Sequence, residues 1–305
     1  MQHWMFALST TGPIILMLCL GWFLRRREVL NENFIKQGNS LVFNISLPSL
    51  LFLSTASNPL SHSLDFSLVI LGVLFTLTSV LLLFVVSRPW LRGGRQGVFI
   101  QGAFRGNMGI IGIAMVLNAY GMDVLPKAAL FLAFMTMTFN VVSVALLGAK
   151  RSRIISSLLK NPLIIAILAG LLCSALGLQL PDVVAKTCQY LANMTLPLAL
   201  ICIGASLQWQ SFKSNLSPVL WASACKLIII PLLAVTLALY MQFSGSDIGL
   251  LFLMMGTPTA AASYVMASKM TEHGQMAGEI VAFTTMFSAL SVSVGLVTLA
   301  SLQLI

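Results

Sequence analysis

Long apolar stretches, separated by short segments rich in charge, proline and glycine, form the main pattern along the chain. Ten of these stretches approach the length of about 20 mostly apolar residues that an α-helix needs to cross a bilayer. They cover residues 6–24, 38–56, 66–87, 97–118, 124–148, 161–177, 185–206, 217–240, 247–268 and 276–302. The pattern therefore predicts an all-α membrane protein with ten transmembrane helices, numbered here as spans 1 to 10.

The positive charges between the spans predict the orientation of the chain. Of the 17 Lys and Arg residues, thirteen lie in the loops after spans 1, 3, 5, 7 and 9, only Lys127 and Lys186 lie on the opposite side, and Arg105 and Lys226 lie within spans. Because cytoplasmic loops carry the excess of Lys and Arg, both termini are expected outside the cytoplasm. The basic residues 25–27 follow the first span, whereas a cleavable signal peptide has its charges before the apolar region. We therefore expect the first span to be retained.

Similar residues recur at a nearly constant distance along the chain. The matching positions are Pro13 and Pro162, Gly21 and Gly170, the N-x-[ST]-L-P patterns at 44–48 and 193–197, and Gly106 and Gly256. The offset is 149 residues for the first three pairs and 150 for the last. A constant register over three pairs of spans indicates an internal duplication. Because each copy has five helices, an odd number, the second copy enters the membrane inverted. We predict a first five-helix repeat at 1–150 and a second, inverted repeat at 151–305.

Both copies of the N-x-[ST]-L-P pattern place a proline inside a span. Pro48 removes the backbone hydrogen bond to the carbonyl of Asn44, and Pro197 removes the one to Asn193. Polar groups that lack a partner in hydrocarbon cost several kcal/mol. The asparagines either line a transport cavity or bond a neighbouring helix beside a simple kink, and we take the first interpretation as the prediction.

Small residues interrupt spans 4 and 9 at matching depths. Span 4 contains Gly102, Gly106, Gly109 and Gly112 around Arg105 and Asn107, and span 9 contains Gly256, Thr257, Pro258 and Thr259. The alternative is close helix packing through small residues. The match between the two halves favours two broken helices that meet at the centre of the membrane.

Three ionisable residues, Arg105, Lys226 and Glu279, fall within predicted spans, and Asn140 adds an amide in the middle of span 5. Intramembrane charges are expensive and usually functional. The alternatives are cationic side chains that extend to the interface and a carboxylate at the start of a helix. We expect Arg105 to contact the substrate, and Lys226 and Glu279 to take part in charge coupling.

Composition supports the membrane class and excludes several others. Apolar residues make up 58% of the chain and charged residues 8%, with a mean hydropathy of +0.96 and a net charge of +9. A soluble nucleic-acid binder and a disordered chain are excluded by these values. The five cysteines lie in apolar stretches and the three histidines lie at the N-terminus or in loops, so we predict no disulfide, no metal site and no cofactor. The spans contain no His, Cys–His or paired-carboxylate arrangement and the chain has no ATP-binding loop, so we expect neither an enzyme nor a pump.

With these residues considered together, the whole chain resembles the auxin efflux carrier family. This family includes bacterial relatives of the plant PIN auxin carriers and belongs with the bile acid/auxin permeases. The motifs that carry the resemblance lie at 44–48, 106–112 and 193–197, together with Pro258. Family members often have a proline where this sequence has Ala114, so the break in span 4 is expected to depend on Gly106, Asn107 and Gly109.

The resemblance implies two inverted five-helix repeats with spans 4 and 9 crossing at their breaks. It also implies a scaffold part and a transport part, each built from both repeats, that work by elevator-like alternating access on organic anions such as carboxylates. We therefore predict a secondary active or facilitative transporter in the bacterial cytoplasmic (inner) membrane, with the lipid bilayer and a second copy of the chain as partners.

The predicted substrate-binding residues come from both repeats. They are Asn44, Arg105, Gly106, Asn107, Gly109, Asn140, Asn193, Gly256, Thr257, Pro258 and Thr259, with helix breaks at Pro48 and Pro197. The alternatives are a sodium-coupled symporter of the bile acid type and a membrane ligand sensor that does not transport.

Overall fold

The structure is a computed structural model that describes residues 2–56, 66–147, 161–178, 180–206 and 216–305. Twelve helices account for most of this part of the chain. They are α1 Gln2–Arg26, α2 Glu32–Ala56, α3 Ser67–Ser87, α4 Gly93–Phe104, α5 Met108–Tyr120, α6 Leu125–Leu146, α7 Pro162–Ala175, α8 Asp182–Ser206, α9 Leu216–Tyr240, α10 Gly245–Met255, α11 Ala261–Met270 and α12 Gly274–Ser301. The predicted boundary between the repeats at residues 150 and 151, with its basic loop, lies outside the described residues, as do His62 and Lys213.

Seven of the described helices are long and apolar enough to cross a membrane, namely α1, α2, α3, α6, α8, α9 and α12. The helices α5, α7 and α10 are shorter and also apolar. The helix ends agree with the predicted stretches to within a few residues, except that α2 begins at Glu32 instead of residue 38. The difference arises because Asn31 caps this helix by accepting a hydrogen bond from Phe34 N, so the helix starts in a polar segment.

Two long helices contain a wide π turn immediately before a proline. In α2 the turn covers Val42–Ser46 and precedes Pro48, and in α9 it covers Cys225–Ile229 and precedes Pro231. A π turn adds one residue to the helix, and proline cannot donate the hydrogen bond that would keep the regular pitch. In α8 the corresponding distortion is an interruption at Met194.

The helices α1, α2, α7 and α8 pack together in a way that relates the two halves of the chain. A Cβ atom on Gly21 of α1 would lie 2.1 Å from the carbonyl oxygen of Ile201 in α8. A Cβ atom on Gly170 of α7 would lie 2.7 Å from the carbonyl oxygen of Phe52 in α2. Gly21 and Gly170 are 149 positions apart, and so are Phe52 and Ile201. The glycine belongs to the first half of the chain in one contact and to the second half in the other. In each pair of helices, an equivalent glycine therefore allows the two backbones to come into direct contact.

The remaining helices, α3 to α6 and α9 to α12, form a second bundle against the first. Two polar contacts join α1 to this bundle. Thr11 Oγ1 lies 2.8 Å from Ser293 Oγ of α12, and Asn118 Nδ2 of α5 donates to the carbonyl of Thr10 at 3.0 Å. The buried apolar residues of both bundles form a nearly continuous core.

Candidate functional site

The centre of the second bundle is a crossing of two non-helical segments, residues 105–107 between α4 and α5 and residues 256–260 between α10 and α11. They run antiparallel and pair through their backbones. Asn107 N donates to the carbonyl of Pro258 at 2.8 Å, and Ala260 N donates to the carbonyl of Arg105 at 2.9 Å. The interruptions therefore lie where glycine, asparagine and proline predict them. The break in span 4 forms without a proline because the opposite segment supplies partners for its backbone.

Two threonines of the second segment stabilise the crossing with their hydroxyl groups. Thr259 Oγ1 donates to the carbonyl of Gly102 at 2.6 Å, and Thr257 Oγ1 donates to the carbonyl of Met254 at 2.8 Å. The backbone N–H of Thr259 donates to Thr284 Oγ1 of α12 at 3.0 Å. Both threonines are buried, and their hydroxyl protons are used within the protein in this conformation.

Gly106 is the point where the two segments come closest. A Cβ atom at this position would lie 2.3 Å from Thr257 Oγ1 and 3.1 Å from the ammonium nitrogen of Lys226. No larger residue fits without displacing one of these polar groups. The predicted glycine at the break is therefore required by the space that the opposite segment and α9 occupy.

The guanidinium group of Arg105 turns into the protein and does not extend to a surface, since the residue is only 8% exposed. Its Nη2 donates to Asn140 Oδ1 at 2.8 Å and its Nη1 to Ser143 Oγ at 2.9 Å, both on α6. Nη1 also lies 3.4 Å from the carbonyl of Phe139 and 3.2 Å from Met266 Sδ. The structure thus brings together Arg105 and Asn140, two of the residues that the sequence analysis selected.

The contacts of Arg105 leave part of its hydrogen-bonding capacity unused. A guanidinium carries five N–H donors, and none of the described contacts uses Nε. Among the described residues, no carboxylate lies within ion-pair distance of this group. The Nε edge of this buried cation beside the crossing is therefore without a hydrogen-bond partner in the described structure.

Lys226 supplies a second buried cation next to the crossing. Its side chain is 0% exposed, and Nζ donates to the carbonyl of Met255, the last residue of α10, at 2.6 Å. Glu279 on α12 is also 0% exposed, and its Oε1 accepts a hydrogen bond from Gln275 Nε2 at 3.0 Å. Its Oε2 has no hydrogen-bond partner in the described structure. Glu279 forms no ion pair with either cation within the described residues.

Asn44 and Asn193 do not take part in the hydrogen bonds of the crossing. Both side chains are exposed, and each bonds within its own helix. Asn44 Nδ2 donates to the carbonyl of Ser40 at 2.8 Å, and Asn193 Oδ1 accepts from Gln189 Nε2 at 2.7 Å. Neither amide bonds a neighbouring helix in the described structure. Pro48 is buried in α2, whereas Pro197 is exposed on α8.

In the same motifs the hydroxyl residues are buried, and they are absent from the predicted site. Ser46 and Thr195 are 0% exposed, and neither hydroxyl has a hydrogen-bond partner among the described residues. In the π turn of α2, the N–H of Leu47 donates a hydrogen bond to the carbonyl of Val42. In α8, Thr195 directly follows the interruption at Met194. The repeated spacing of these hydroxyls is the signal that could have identified them.

The predicted Gly109 lies where the first turn of α5 meets α2. A Cβ atom on Gly109 would lie 3.5 Å from Leu47 Cδ2, directly after Ser46 in the motif. Gly256 is also buried, within the second crossing segment. A separate apolar groove of about 420 Å³ lies between α3 and α9 and contains none of the predicted site residues.

A helical chain with apolar membrane-length helices and two interrupted helices that cross beside buried cations belongs to the class of membrane transporters. Comparison with known families agrees with this class. The family described as membrane transport protein matches residues 6–150 and 150–296. The chain is a member of this family, the auxin efflux carriers, and is an integral membrane protein.

Several relatives are similar over most of their length. An uncharacterized transporter of Methanothermobacter thermautotrophicus is 26% identical over 85% of this chain and 87% of its own. An uncharacterized transporter of Escherichia coli K12 is 22% identical over 84% of this chain and 86% of its own. A Rhizobium meliloti protein named "Putative malonate transporter" is 24% identical over 84% of each chain.

Proposed function

We propose that the protein is a secondary carrier for a small organic anion, a carboxylate, in the bacterial cytoplasmic membrane. The observation that carries this proposal is the buried guanidinium of Arg105, which has no acidic partner in the described structure and leaves Nε unused. A buried cation without a counter-ion is costly, and an anionic substrate would remove that cost during transport. A carboxylate also matches the guanidinium edge with two parallel hydrogen bonds.

The crossing adds further attraction for an anion. The helices α5 and α11 begin at the crossing segments, so the partly positive ends of both helices face the same region. Asn107 and Gly109 lie in or beside these segments and would offer a side-chain amide and a backbone N–H group to a carboxylate. The N–H of Gly256 donates to the carbonyl of Phe252 at 2.7 Å, so Gly256 would contribute through its small size. The name of the Rhizobium meliloti relative also favours a small dicarboxylate such as malonate.

The topology in this proposal is ten spans in two inverted five-helix repeats. The fourth span combines α4 and α5, and the ninth combines α10 and α11. The exchange of equivalent contacts around Gly21 and Gly170 supports a two-fold relationship between the repeats. The bundle of α1, α2, α7 and α8 would be the scaffold, and the other bundle would be the transport part that moves along it.

The exposed amides of Asn44 and Asn193 fit this arrangement as groups along the substrate path. Both lie within apolar helices, where an exposed amide is far less costly beside water than beside lipid. To contact the substrate, the hydroxyl groups of Thr257 and Thr259 would break their hydrogen bonds to protein carbonyls and form hydrogen bonds to the substrate instead. Lys226 and Glu279 would balance the charge of the moving part.

The test is uptake of radiolabelled malonate into proteoliposomes that contain the purified protein. We expect saturable uptake above that of protein-free vesicles, with competition by other small carboxylates and none by amino-acid cations. A parallel thermal-shift screen should show a higher Tm with the transported anion, because a ligand of the folded state stabilises it. Binding without uptake would indicate a sensor, and absence of both for all carboxylates would refute the proposal.

A further inference from the structure

The helices α4 and α10 both end at the crossing, so their last carbonyl groups converge there. Carbonyl ends of helices carry partial negative charge and favour cations. Most of these carbonyls receive neutral donors: Gly102 O and Met254 O accept threonine hydroxyls, and Arg105 O accepts a backbone N–H. In membrane carriers, unwound carbonyls of this kind can coordinate a coupling sodium ion.

The carbonyl of Met255 accepts a hydrogen bond from a cationic side chain of the protein, the ammonium of Lys226. Lys226 Nζ lies 2.6 Å from this oxygen, and this carbonyl is its only hydrogen-bond acceptor among the described residues. The ammonium is also 3.1 Å from the position that a Cβ atom of Gly106 would occupy, so the ammonium stands directly at the crossing. Thr257 Oγ1 contacts the same position at 2.3 Å.

The sequence and local structure of α9 hold this ammonium in place. Lys226 lies in the π turn Cys225–Ile229, and its side chain is 0% exposed. Among the described residues, no carboxylate forms an ion pair with it. An unpaired buried ammonium is unfavourable unless nearby dipoles compensate it, and the carbonyl end of α10 is the dipole that it contacts.

We propose that the Lys226 ammonium is a tethered cation that occupies the place of a coupling sodium ion at the crossing, so that transport does not require sodium. This inference rests on the proposed carrier function, but it concerns the ion and not the substrate. At this position a compact monovalent cation, the ammonium of Lys226, lies beside a carbonyl oxygen of Met255 and the hydroxyl oxygen of Thr257. Lys226→Ala should leave these oxygens able to bind sodium.

The decisive experiment measures the Tm of the purified protein in sodium chloride and in choline chloride of equal ionic strength. We expect the same Tm in both salts for the wild type. Lys226→Ala should have a lower Tm in choline, and sodium should raise it in a saturable way. Lys269→Ala is the matched control, because Lys269 is an exposed cation near the end of α11 and should give no specific response to sodium.

Uptake into proteoliposomes gives a second readout. The wild type should transport equally well with sodium or choline on both sides. Lys226→Ala should lose about ten- to a hundredfold of its uptake rate in choline, the range expected for one lost charged hydrogen bond, and should regain part of it in sodium. Lys226→Arg keeps the charge but places a larger planar group in a fully buried site, so its uptake should fall without becoming dependent on sodium.

Three results would overturn the inference: a sodium-dependent Tm or uptake in the wild type, equal Tm values of Lys226→Ala in both salts, or full uptake by this variant in choline. If Lys226→Ala does not fold, the wild type decides alone, because a sodium requirement contradicts a tethered cation and its absence supports one. The Tm comparison needs no substrate. It therefore still tests Lys226 if no carboxylate is transported and the proposed function fails.

Discussion

Ser46 of α2 and Thr195 of α8 are equivalent residues of the two halves, and both carry a fully buried hydroxyl without a hydrogen-bond partner in the described structure. A buried hydroxyl in this state costs about 1–3 kcal/mol. Ser46 lies at the end of the π turn of α2, and Thr195 directly follows the interruption of α8 at Met194. The same unfavourable feature therefore occurs twice, at equivalent positions of the two halves.

We predict that Ser46→Ala and Thr195→Val stabilise the protein without substrate and reduce its transport. Each variant should increase the free energy of unfolding by about 1 kcal/mol, because it removes an unsatisfied buried group. Uptake should fall, since the hydroxyls would gain partners only during the transport cycle. Tm measurements and malonate uptake check the two effects.

The matched control for these hydroxyls is Ser54→Ala in α2. Ser54 Oγ donates to the carbonyl of Leu51 at 3.1 Å, so this substitution removes the same atoms together with a hydrogen bond. The control should lower the Tm. Equal losses of stability in Ser46→Ala and Ser54→Ala would contradict the prediction.

Arg105 variants test the proposed anion site. Arg105→Lys should lower malonate uptake by about tenfold, because an ammonium cannot form two parallel hydrogen bonds to a carboxylate. Arg105→Gln should reduce uptake by about a hundredfold, since the charge is also lost. Size-exclusion chromatography should show folded protein in both cases. Lys269→Gln, an exposed change on α11, is the control. Normal uptake by both Arg105 variants would exclude a role in substrate binding.

A disulfide between α1 and α12 should stop the proposed elevator movement. Thr11 Oγ1 and Ser293 Oγ lie 2.8 Å apart across the two bundles, so cysteines at these positions are close enough to pair. In a background without the five native cysteines, oxidation of Thr11→Cys/Ser293→Cys should abolish uptake and a reductant should restore it. The single-cysteine variants should be unaffected by oxidant. Full uptake by the oxidised double variant would contradict movement between the bundles.

The charge distribution predicts the sidedness of the protein. A reporter enzyme that is active only outside the cytoplasm should be active when fused to either terminus, since the basic loops hold the opposite ends of spans 1 and 10 in the cytoplasm. A fusion after Arg92, in the predicted cytoplasmic loop before α4, should be inactive. Cytoplasmic labelling of either terminus would refute the ten-span topology.

The helices and their interruptions could be predicted because each depends on local sequence. Apolar stretches of membrane length give the helices, and the glycines and Pro258 mark where two of them stop. Arg105, Lys226 and Glu279 can be selected from the sequence because few charges occur within the spans, and the structure shows all three buried.

The direction of individual side chains could not be predicted in the same way. One extra residue in a π turn rotates the following part of a helix by about 100°. Asn44 and Ser46 both lie within the π turn Val42–Ser46. Pro48 indicates a distortion nearby, but the sequence does not indicate which of the two side chains faces inward. The contacts of Arg105 with Asn140 and Ser143 depend on how α4 packs on α6, which is a tertiary property.

The backbone pairing at the crossing has a consequence for how such carriers diverge. Asn107 and Ala260 each contribute only a main-chain N–H to the pairing, and Arg105 and Pro258 contribute only carbonyl groups. Any residue except proline has the main-chain N–H that positions 107 and 260 supply, and every residue has the carbonyl that positions 105 and 258 supply. Apart from Gly106, which the close approach of Thr257 and Lys226 requires, the side chains of these paired residues can therefore change without loss of the backbone hydrogen bonds that join the two segments.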